Sequence, residues 1–113
     1  MSSIKNHFPG QHSICAIVVT YWPDSSRLAA VLESLHTQVR AIVIVDNTPI
    51  TERDNDFEFR EEIIRPKNKI RLDIIKNGKN LGIPAALNKG ILWAQENNFD
   101  YVLLMDQDSI AGS

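Results

Sequence analysis

The chain has 113 residues, of which 43% are hydrophobic and 23% are charged, as in an ordinary single globular domain. Twelve basic and fourteen acidic residues give a net charge of -2 without a basic stripe, so a nucleic acid is excluded as the principal partner. The apolar runs are far shorter than the roughly 20 residues that a membrane span needs. The single Cys15 excludes a disulfide within the chain, and we expect its thiol to be buried and unreactive. Together these features lead us to expect a cytoplasmic protein.

The first half of the chain alternates a β-branched run, a helical period and a second β-branched run. The segment ICAIVVTY, residues 14–21, predicts a fully buried strand of the kind found in parallel sheets. Asp24 or Ser25 then caps a helix with apolar residues at i, i+3, i+4 and i+7. These apolar positions are Leu28, Val31, Leu32 and Leu35. The segment AIVIVD, residues 41–46, predicts a second buried strand.

The second half repeats this alternation after a polar stretch. The stretch ends at about Lys69 and predicts a loop with one helical turn near FREEI. The segment IRLDIIKN, residues 70–77, predicts a third strand because its apolar residues alternate. The segment GIPAALNKGILWAQENN, residues 82–98, has Pro84 in its first turn and predicts a second helix. Its apolar side is formed by Ile83, Leu87, Ile91 and Ala94. DYVLLMD, residues 100–106, predicts a fourth strand.

This order of elements predicts an α/β fold. The arrangement is a Rossmann-like open sheet of about four mainly parallel strands, in the order 3-2-1-4, with helices on both faces. We assign residues 1–13 to a flexible amino-terminal segment and residues 14–113 to the folded domain. Ligands of such sheets bind outside the carboxyl ends of the strands, where the strand order reverses. All four predicted strands end in polar residues, so we expect the site at that edge.

Three acidic residues at these strand ends suggest a specific chemistry. Asp106 and Asp108 are separated by one residue, and both carboxylates can face one hard cation, Mg²⁺ or Mn²⁺. Two carboxylates are too few to bind such a cation tightly, so the remaining ligands are expected from a diphosphate, which implies a nucleotide. Asp46 lies one strand away and can accept the N3–H of a pyrimidine base. These residues therefore predict a uracil or thymine nucleotide.

The turn NGKNLG, residues 77–82, adds a second group of ligand-binding features. It supplies the conformationally free Gly82, backbone N–H groups at a helix start, and Lys79. These groups suit an anionic or hydroxyl-rich ligand.

Four sequence blocks together resemble a known family. The blocks VVTYWPD, IVIVDN, KNLGIPAALNKG and LLMDQDS are similar to the amino-terminal, nucleotide-sugar-binding half of the family-two glycosyltransferases of the GT-A fold. The block LLMDQDS, which contains the DxD motif, is most similar to the rhamnosyltransferase branch. The resemblance covers residues 14–113 and keeps the blocks in the family's order and spacing.

The resemblance implies a role for each matched residue around the nucleotide. Thr20 and Tyr21 would line the base pocket, and Asp46 would bind the pyrimidine. Asn80 and Gly82 would lie in the loop before the donor-side helix.

The resemblance also implies a metal site and a reaction. Asp106 would contact the ribose or a metal-bound water, and Asp108 would bind the metal directly. The donor would be dTDP-L-rhamnose, or another dTDP-sugar or UDP-sugar, and transfer would invert the anomeric centre. The acceptor would be a cell-surface polysaccharide or a lipid-linked saccharide, reached from the cytoplasm, with the acceptor placing the protein at the inner face of the membrane.

One departure from the family pattern concerns catalysis. Family members continue beyond the DxD segment into a half that binds the acceptor and supplies a carboxylate general base, whereas this sequence ends at Ser113. We therefore assign no catalytic residue and expect nucleotide-sugar binding without turnover. An apolar sheet edge or helix face left by the missing half would favour a homodimer through the fourth strand or a helix.

Three other classes of protein remain as alternatives. A non-catalytic nucleotide-sugar-binding module would use the same site without transfer. A sugar-1-phosphate nucleotidyltransferase would need a Gly-rich phosphate loop with Arg and Lys after the first strand, where this chain has TYWPD. A receiver-type signalling domain would need an acidic pair there and an Asp at the end of the third strand, where this chain has KNG.

Overall fold

The computed structural model describes residues 13–50 and 70–107. Along these residues the elements are β1 (Ile14–Thr20), α1 (Ser25–Leu35), β2 (Ala41–Asp46), β3 (Arg71–Lys76), α2 (Ile83–Glu96) and β4 (Tyr101–Asp106). Each predicted strand and helix is confirmed, with small differences at the ends. The helical turn predicted near FREEI and residues 1–12 of the predicted flexible segment lie outside the described residues. Neither α1 nor α2 is long and apolar enough to cross a bilayer.

The sheet brings the carboxyl ends of all its strands to one edge. Its order is β3-β2-β1-β4, every neighbouring pair is parallel, and both features confirm the predicted α/β fold. The registers end on the pairs Thr20 with Asp46, Asp46 with Lys76, and Val19 with Asp106. Because β2 and β4 lie on opposite sides of β1, the strand order reverses between β1 and β4, and ligands of parallel α/β sheets bind at such a point.

Helix α1 covers one face of the sheet through the predicted stripe. Asp24 is its N-cap, and the carboxylate Oδ1 accepts a hydrogen bond from the backbone N–H of Ser26 at 3.0 Å. This bond satisfies one of the N–H groups that the first helical turn leaves without a partner. The buried side chains of the helix pack on the α1-facing residues of β1 and β2. They are Leu28, Val31, Leu32 and Leu35.

Helix α2 covers the other face, where three of the four predicted apolar residues, Leu87, Ile91 and Ala94, pack on the sheet. Its buried residues are Ala86, Gly90 and Ala94, whereas Ile83 is 60% exposed. A Cβ atom added at Gly90 would lie 2.5 Å from Cγ2 of Ile17 in β1, so α2 approaches the sheet too closely for a side chain there. The predicted apolar side is therefore confirmed except at Ile83, and the closest approach to the sheet is made by small residues.

The single thiol of the chain lies within this packed interior. Cys15 is fully buried on the α2 side of the sheet, which confirms the prediction of burial. Burial raises the pKa of the Cys15 thiol to about 11, so the group stays protonated and weakly nucleophilic at neutral pH.

The outer strand β4 presents apolar side chains to solvent. Tyr101, Val102 and Leu104 are 51%, 40% and 48% exposed. This surface coincides with the strand through which a homodimer was predicted, and the homodimer stays a prediction that light scattering at micromolar concentration checks.

We predict that Gly90→Ala destabilises the protein although alanine favours helix formation. Helix propensity alone would stabilise the variant by about 1 kcal/mol, but the overpacking against Ile17 typically costs about 1 to 3 kcal/mol. Urea denaturation should therefore show a lower free energy of unfolding. The control is the difference in free energy of unfolding between Asn88→Gly and Asn88→Ala, which measures helix propensity alone because Asn88 is exposed. If Gly90→Ala stabilised the protein by as much as alanine exceeds glycine at position 88, the close packing of α2 would be contradicted.

Candidate functional site

Polar side chains at the carboxyl edge of the sheet divide between its two faces. Successive residues of a strand point to opposite sides. Thr20 and Asp46 continue the rows of β1 and β2 that pack on α1, whereas Tyr21 and Asn47 continue the rows that pack on α2. The edge therefore presents two adjoining polar groups, one on each side of the sheet.

The α1 side contains a carboxylate with fixed orientation. Asp46 is only 8% exposed, and its Oδ1 accepts hydrogen bonds from the Thr20 hydroxyl at 2.8 Å, the Thr48 hydroxyl at 2.8 Å and the Thr48 backbone N–H at 3.3 Å. Within the described part of the chain, all hydrogen bonds to this carboxylate end on Oδ1. The geometry thus leaves Oδ2 as the oxygen with capacity to accept a further donor.

The α2 side is organised by Asn47, which is 2% exposed. Its Nδ2 donates to the carbonyl of Gly82 at 3.2 Å, and its Oδ1 accepts from Nδ2 of Asn77 at 2.8 Å and from the backbone N–H of Leu81 at 3.4 Å. Lys89 on α2 donates to Oδ1 of Asn77 at 2.8 Å. One buried amide therefore fixes the turn between β3 and α2 against the end of β2.

A cavity of about 450 Å³ opens beside these groups, at the point where the strand order reverses. Five of its lining residues are apolar or aromatic and four are uncharged and polar. They are Val19, Thr20, Tyr21, Asn47, Asn80, Ile83, Leu104, Met105 and Gln107. Such a mixture of apolar walls and a few polar groups is typical of sites for small organic ligands.

The loop after β1 is joined to the end of β4 by one side chain. The backbone N–H of Tyr21 donates to Oε1 of Gln107 at 2.7 Å, and Nε2 of Gln107 donates to the carbonyl of Tyr21 at 3.2 Å. Tyr21 itself is 47% exposed, and its ring meets that of Trp22 edge-on at 6.2 Å.

The structure brings together most of the residues predicted from the sequence. Thr20, Tyr21 and Asn80 line the cavity, and Asp46 contacts Thr20 without lining the cavity itself. Gly82 has φ +86, a conformation that favours glycine, and its N–H donates to Oδ1 of Asn80 at 2.9 Å.

The predicted metal ligands are less completely defined. Asp106 ends β4, beside Val19 of β1, and Asp108 lies outside the described residues. Among the residues that the structure describes, no group of three His, Cys, Asp or Glu side chains could hold a metal ion. The metal site therefore stays a prediction.

Sequence reasoning missed three side chains that organise this edge. Asn47 and Gln107 each follow an acid, and Thr48 comes two residues after Asp46. The sequence pattern assigned none of the three a role beyond ending a strand or forming a turn. Apart from the contact of Thr48 with Asp46, their partners are 26 to 86 residues away along the chain, as in Trp22 with Thr48 and Tyr21 with Gln107. A signal was present, however, because uncharged polar residues directly at the carboxyl ends of parallel strands lie at the ligand-binding edge.

An open parallel sheet with a cavity at its switch point, and an oriented carboxylate at the end of the adjoining β2, is the architecture of a Rossmann-like ligand-binding domain. The model of the family described as Glycosyl transferase family 2 matches residues 15–111. The chain belongs to this family, as its motifs indicated.

A curated relative shows the same relationship. The dTDP-rhamnosyl transferase RfbF of Shigella flexneri is 30% identical to the chain over 97 residues. The match covers 86% of this chain and 30% of that protein, so the chain spans less than a third of the relative's length. No solved structure is significantly similar to the chain. Membership of a glycosyltransferase family supports sugar transfer and argues against the nucleotidyltransferase and receiver-domain alternatives.

We predict that Asn47→Ala loosens the turn between β3 and α2. The change leaves the carbonyl of Gly82 and the amide of Asn77 without their partner, which costs about 1 to 3 kcal/mol of unfolding free energy. Amide hydrogen exchange should accelerate at Leu81, whose N–H donates to Asn47, while the exposed Asn88→Ala control leaves it unchanged. Unaltered exchange at Leu81 in Asn47→Ala would show that the turn is fixed by other contacts.

Proposed function

We propose that this chain forms the donor-binding part of a glycosyltransferase that takes L-rhamnose from dTDP-rhamnose and transfers it with inversion. The observation that carries the proposal is the oriented, nearly buried carboxylate of Asp46 beside a cavity at the switch point. The name of the relative, a dTDP-rhamnosyl transferase, supports the choice of donor. The acceptor proposed from the family resemblance is a surface polysaccharide or a lipid-linked saccharide, reached from the cytoplasm or the inner face of the membrane.

Base recognition is assigned to Asp46, with Thr20 and Tyr21 at its border. Three donors from Thr20 and Thr48 orient the carboxylate, so Oδ2 can accept the N3–H of thymine or uracil without further rearrangement. A preoriented acceptor loses little conformational entropy on binding, which favours affinity. A purine does not present the same donor at this place, so the carboxylate selects pyrimidines.

The cavity is assigned to the sugar side of the donor. Its walls include Val19, Ile83 and Leu104, while Asn80 and Gln107 add amides at the rim. A 6-deoxyhexose such as rhamnose presents a methyl group together with hydroxyls, and this combination matches apolar walls with a few hydrogen-bonding groups. The composition of the cavity therefore supports a deoxysugar over a fully hydroxylated one.

A divalent cation, Mg²⁺ or Mn²⁺, is assigned to the DxD segment. Hard cations prefer oxygen ligands, and the two carboxylates of this segment have that chemistry. Asp106 ends β4 at the carboxyl edge, paired with Val19 of β1, and Val19 lines the cavity, which fits a role next to the diphosphate. Asp108 would bind the cation directly, and Asp106 would contact the ribose or a metal-bound water. When bound, the cation would supply positive charge that stabilises the leaving diphosphate.

A non-catalytic nucleotide-sugar-binding module is the second candidate. It is favoured by the assignment of all three edge acids to donor and metal, which leaves none of them to act as the general base that an acceptor hydroxyl needs. General-base assistance is typically worth 10²- to 10⁴-fold in rate. We therefore expect residues 1–113 to bind the donor and to transfer sugar at no useful rate, which a rhamnosyl-transfer assay checks directly.

We predict that Asp46→Asn weakens dTDP binding by on the order of 1 to 3 kcal/mol, roughly 5- to 150-fold in Kd. The single carbonyl oxygen of asparagine would be taken by the Thr20 and Thr48 donors, so its NH₂ group would face the N3–H of the base, donor against donor. Isothermal titration with dTDP and UDP, with and without Mn²⁺, measures the effect.

Asp73→Asn is the matched control because Asp73 lies in the middle of β3, away from the carboxyl edge, with its side chain 43% exposed. Equal losses in both variants would remove the assignment of Asp46 to the base. Binding of neither nucleotide by the unmodified chain would overturn the proposed function and its alternative together.

We predict that Asp108→Ala abolishes the gain in dTDP affinity that saturating Mg²⁺ gives to the unmodified protein. The variant loses one of two carboxylates, and one carboxylate with diphosphate oxygens is a much poorer cation site. Asp100→Ala, an exposed acid before the other end of β4, should leave the gain intact. Equal dTDP affinities for Asp108→Ala and the unmodified protein in saturating Mg²⁺ would refute the metal assignment.

A further inference from the structure

The residue between the two acids of the DxD segment has a defined partner. The side-chain amide of Gln107 points at the backbone of Tyr21, accepting from its N–H at 2.7 Å and donating to its carbonyl at 3.2 Å. Both functional groups of one amide therefore pair with both polar groups of one residue's backbone. A side chain that merely separated two acids would have no need of this complementarity.

These two bonds extend the contact between β1 and β4 beyond the sheet. The register of the two strands ends with Val19 beside Asp106, the last residue of β4. Beyond that point the Gln107 side-chain amide supplies two hydrogen bonds between the segments that follow the two strands. Tyr21, the first residue after β1, is thus tied to Gln107, the first residue after β4.

The opposite side of the same loop is tied to the end of β2. The backbone N–H of Trp22 donates to the Thr48 hydroxyl at 2.8 Å, and that hydroxyl donates to Oδ1 of Asp46 at 2.8 Å. Trp22 has φ +46, a conformation that residues other than glycine adopt only when their surroundings stabilise it. Tyr21 is therefore held between the Asp46 group and Gln107.

We propose that Gln107 is a positioning residue that sets the distance between the base-binding carboxylate and the metal-binding segment. The inference rests on the proposed function, because a nucleoside diphosphate must reach Asp46 with its base and the acids beside Gln107 with its phosphates. Both ends bind well together only if the loop carrying Tyr21 stays in register with β4. Gln107 therefore couples the metal to nucleotide affinity without contacting the metal itself.

The test compares Gln107→Met with the unmodified protein. Methionine matches glutamine in length but forms neither hydrogen bond. Two readouts are measured: the exchange rate of the Tyr21 amide, and the dTDP dissociation constants in saturating Mg²⁺ and in EDTA. We expect faster Tyr21 exchange and roughly three- to tenfold weaker dTDP binding in Mg²⁺, as the loss of one or two hydrogen bonds implies. Binding in EDTA should change less, so the Mg²⁺-dependent gain falls.

Gln38→Met is the matched control. The Gln38 amide also donates to a backbone carbonyl, that of Ser34 at 3.0 Å, but it lies after α1 and before β2, at the amino edge of the sheet. It should change neither readout. Exchange at Val18, in the middle of β1, reports whether the Gln107→Met variant is folded.

The outcomes separate this inference from the proposed function. An unmodified protein that binds neither dTDP nor UDP overturns both. An unmodified protein that binds dTDP, together with a Gln107→Met variant that keeps the full Mg²⁺-dependent gain, overturns only the role of Gln107. Equal loss of affinity in Mg²⁺ and in EDTA assigns Gln107 to local stability and likewise overturns the coupling.

Discussion

The hydrogen bond from the Thr20 hydroxyl to Oδ1 of Asp46 is the contact on which the site depends. A carboxylate that is 8% exposed must find donors, since an unsatisfied buried charge costs far more than a hydrogen bond returns. Asp46 obtains them from β1 and from Thr48 in its own turn. Because Trp22 in turn donates to Thr48, the same group fixes the loop after β1. Among residues 13–50 and 70–107, the donors to this carboxylate all bond to Oδ1 and not to Oδ2.

The polar groups on the α2 side of the carboxyl edge depend on how α2 packs against the sheet. Gly90 lets the helix approach Ile17 closely. The start of the helix and the turn before it therefore lie against the end of β2. There the buried amide of Asn47 meets the carbonyl of Gly82. A wider helix-to-sheet distance would separate these groups. The cavity thus depends on close packing in the core as well as on the polar residues that line it.

The sequence predicted the elements of this fold because burial on both faces of a parallel sheet leaves a strong apolar signal, as in the fully buried β2. It predicted the edge and the position of Thr20 and Asp46 because the topology of such sheets fixes where the strands end. It predicted most of the packing face of α2, with the exception of Ile83. It did not predict the burial of small residues such as Ala86, because periodicity scores them as weakly apolar. The role of Gln107 was hidden for a different reason: its partner lies 86 residues earlier, and nothing local marks the pairing.

We propose that one nucleoside diphosphate spans the carboxyl edge from β2 to β4. Backbone ¹H–¹⁵N spectra recorded while dTDP is added in the presence of Mg²⁺ test this proposal most directly. We expect shift changes concentrated at Tyr21, Thr48 and Gln107, with the amino-edge residues Arg40 and Asn97 unchanged. Shift changes confined to the amino edge, or absent at saturating dTDP, would contradict it.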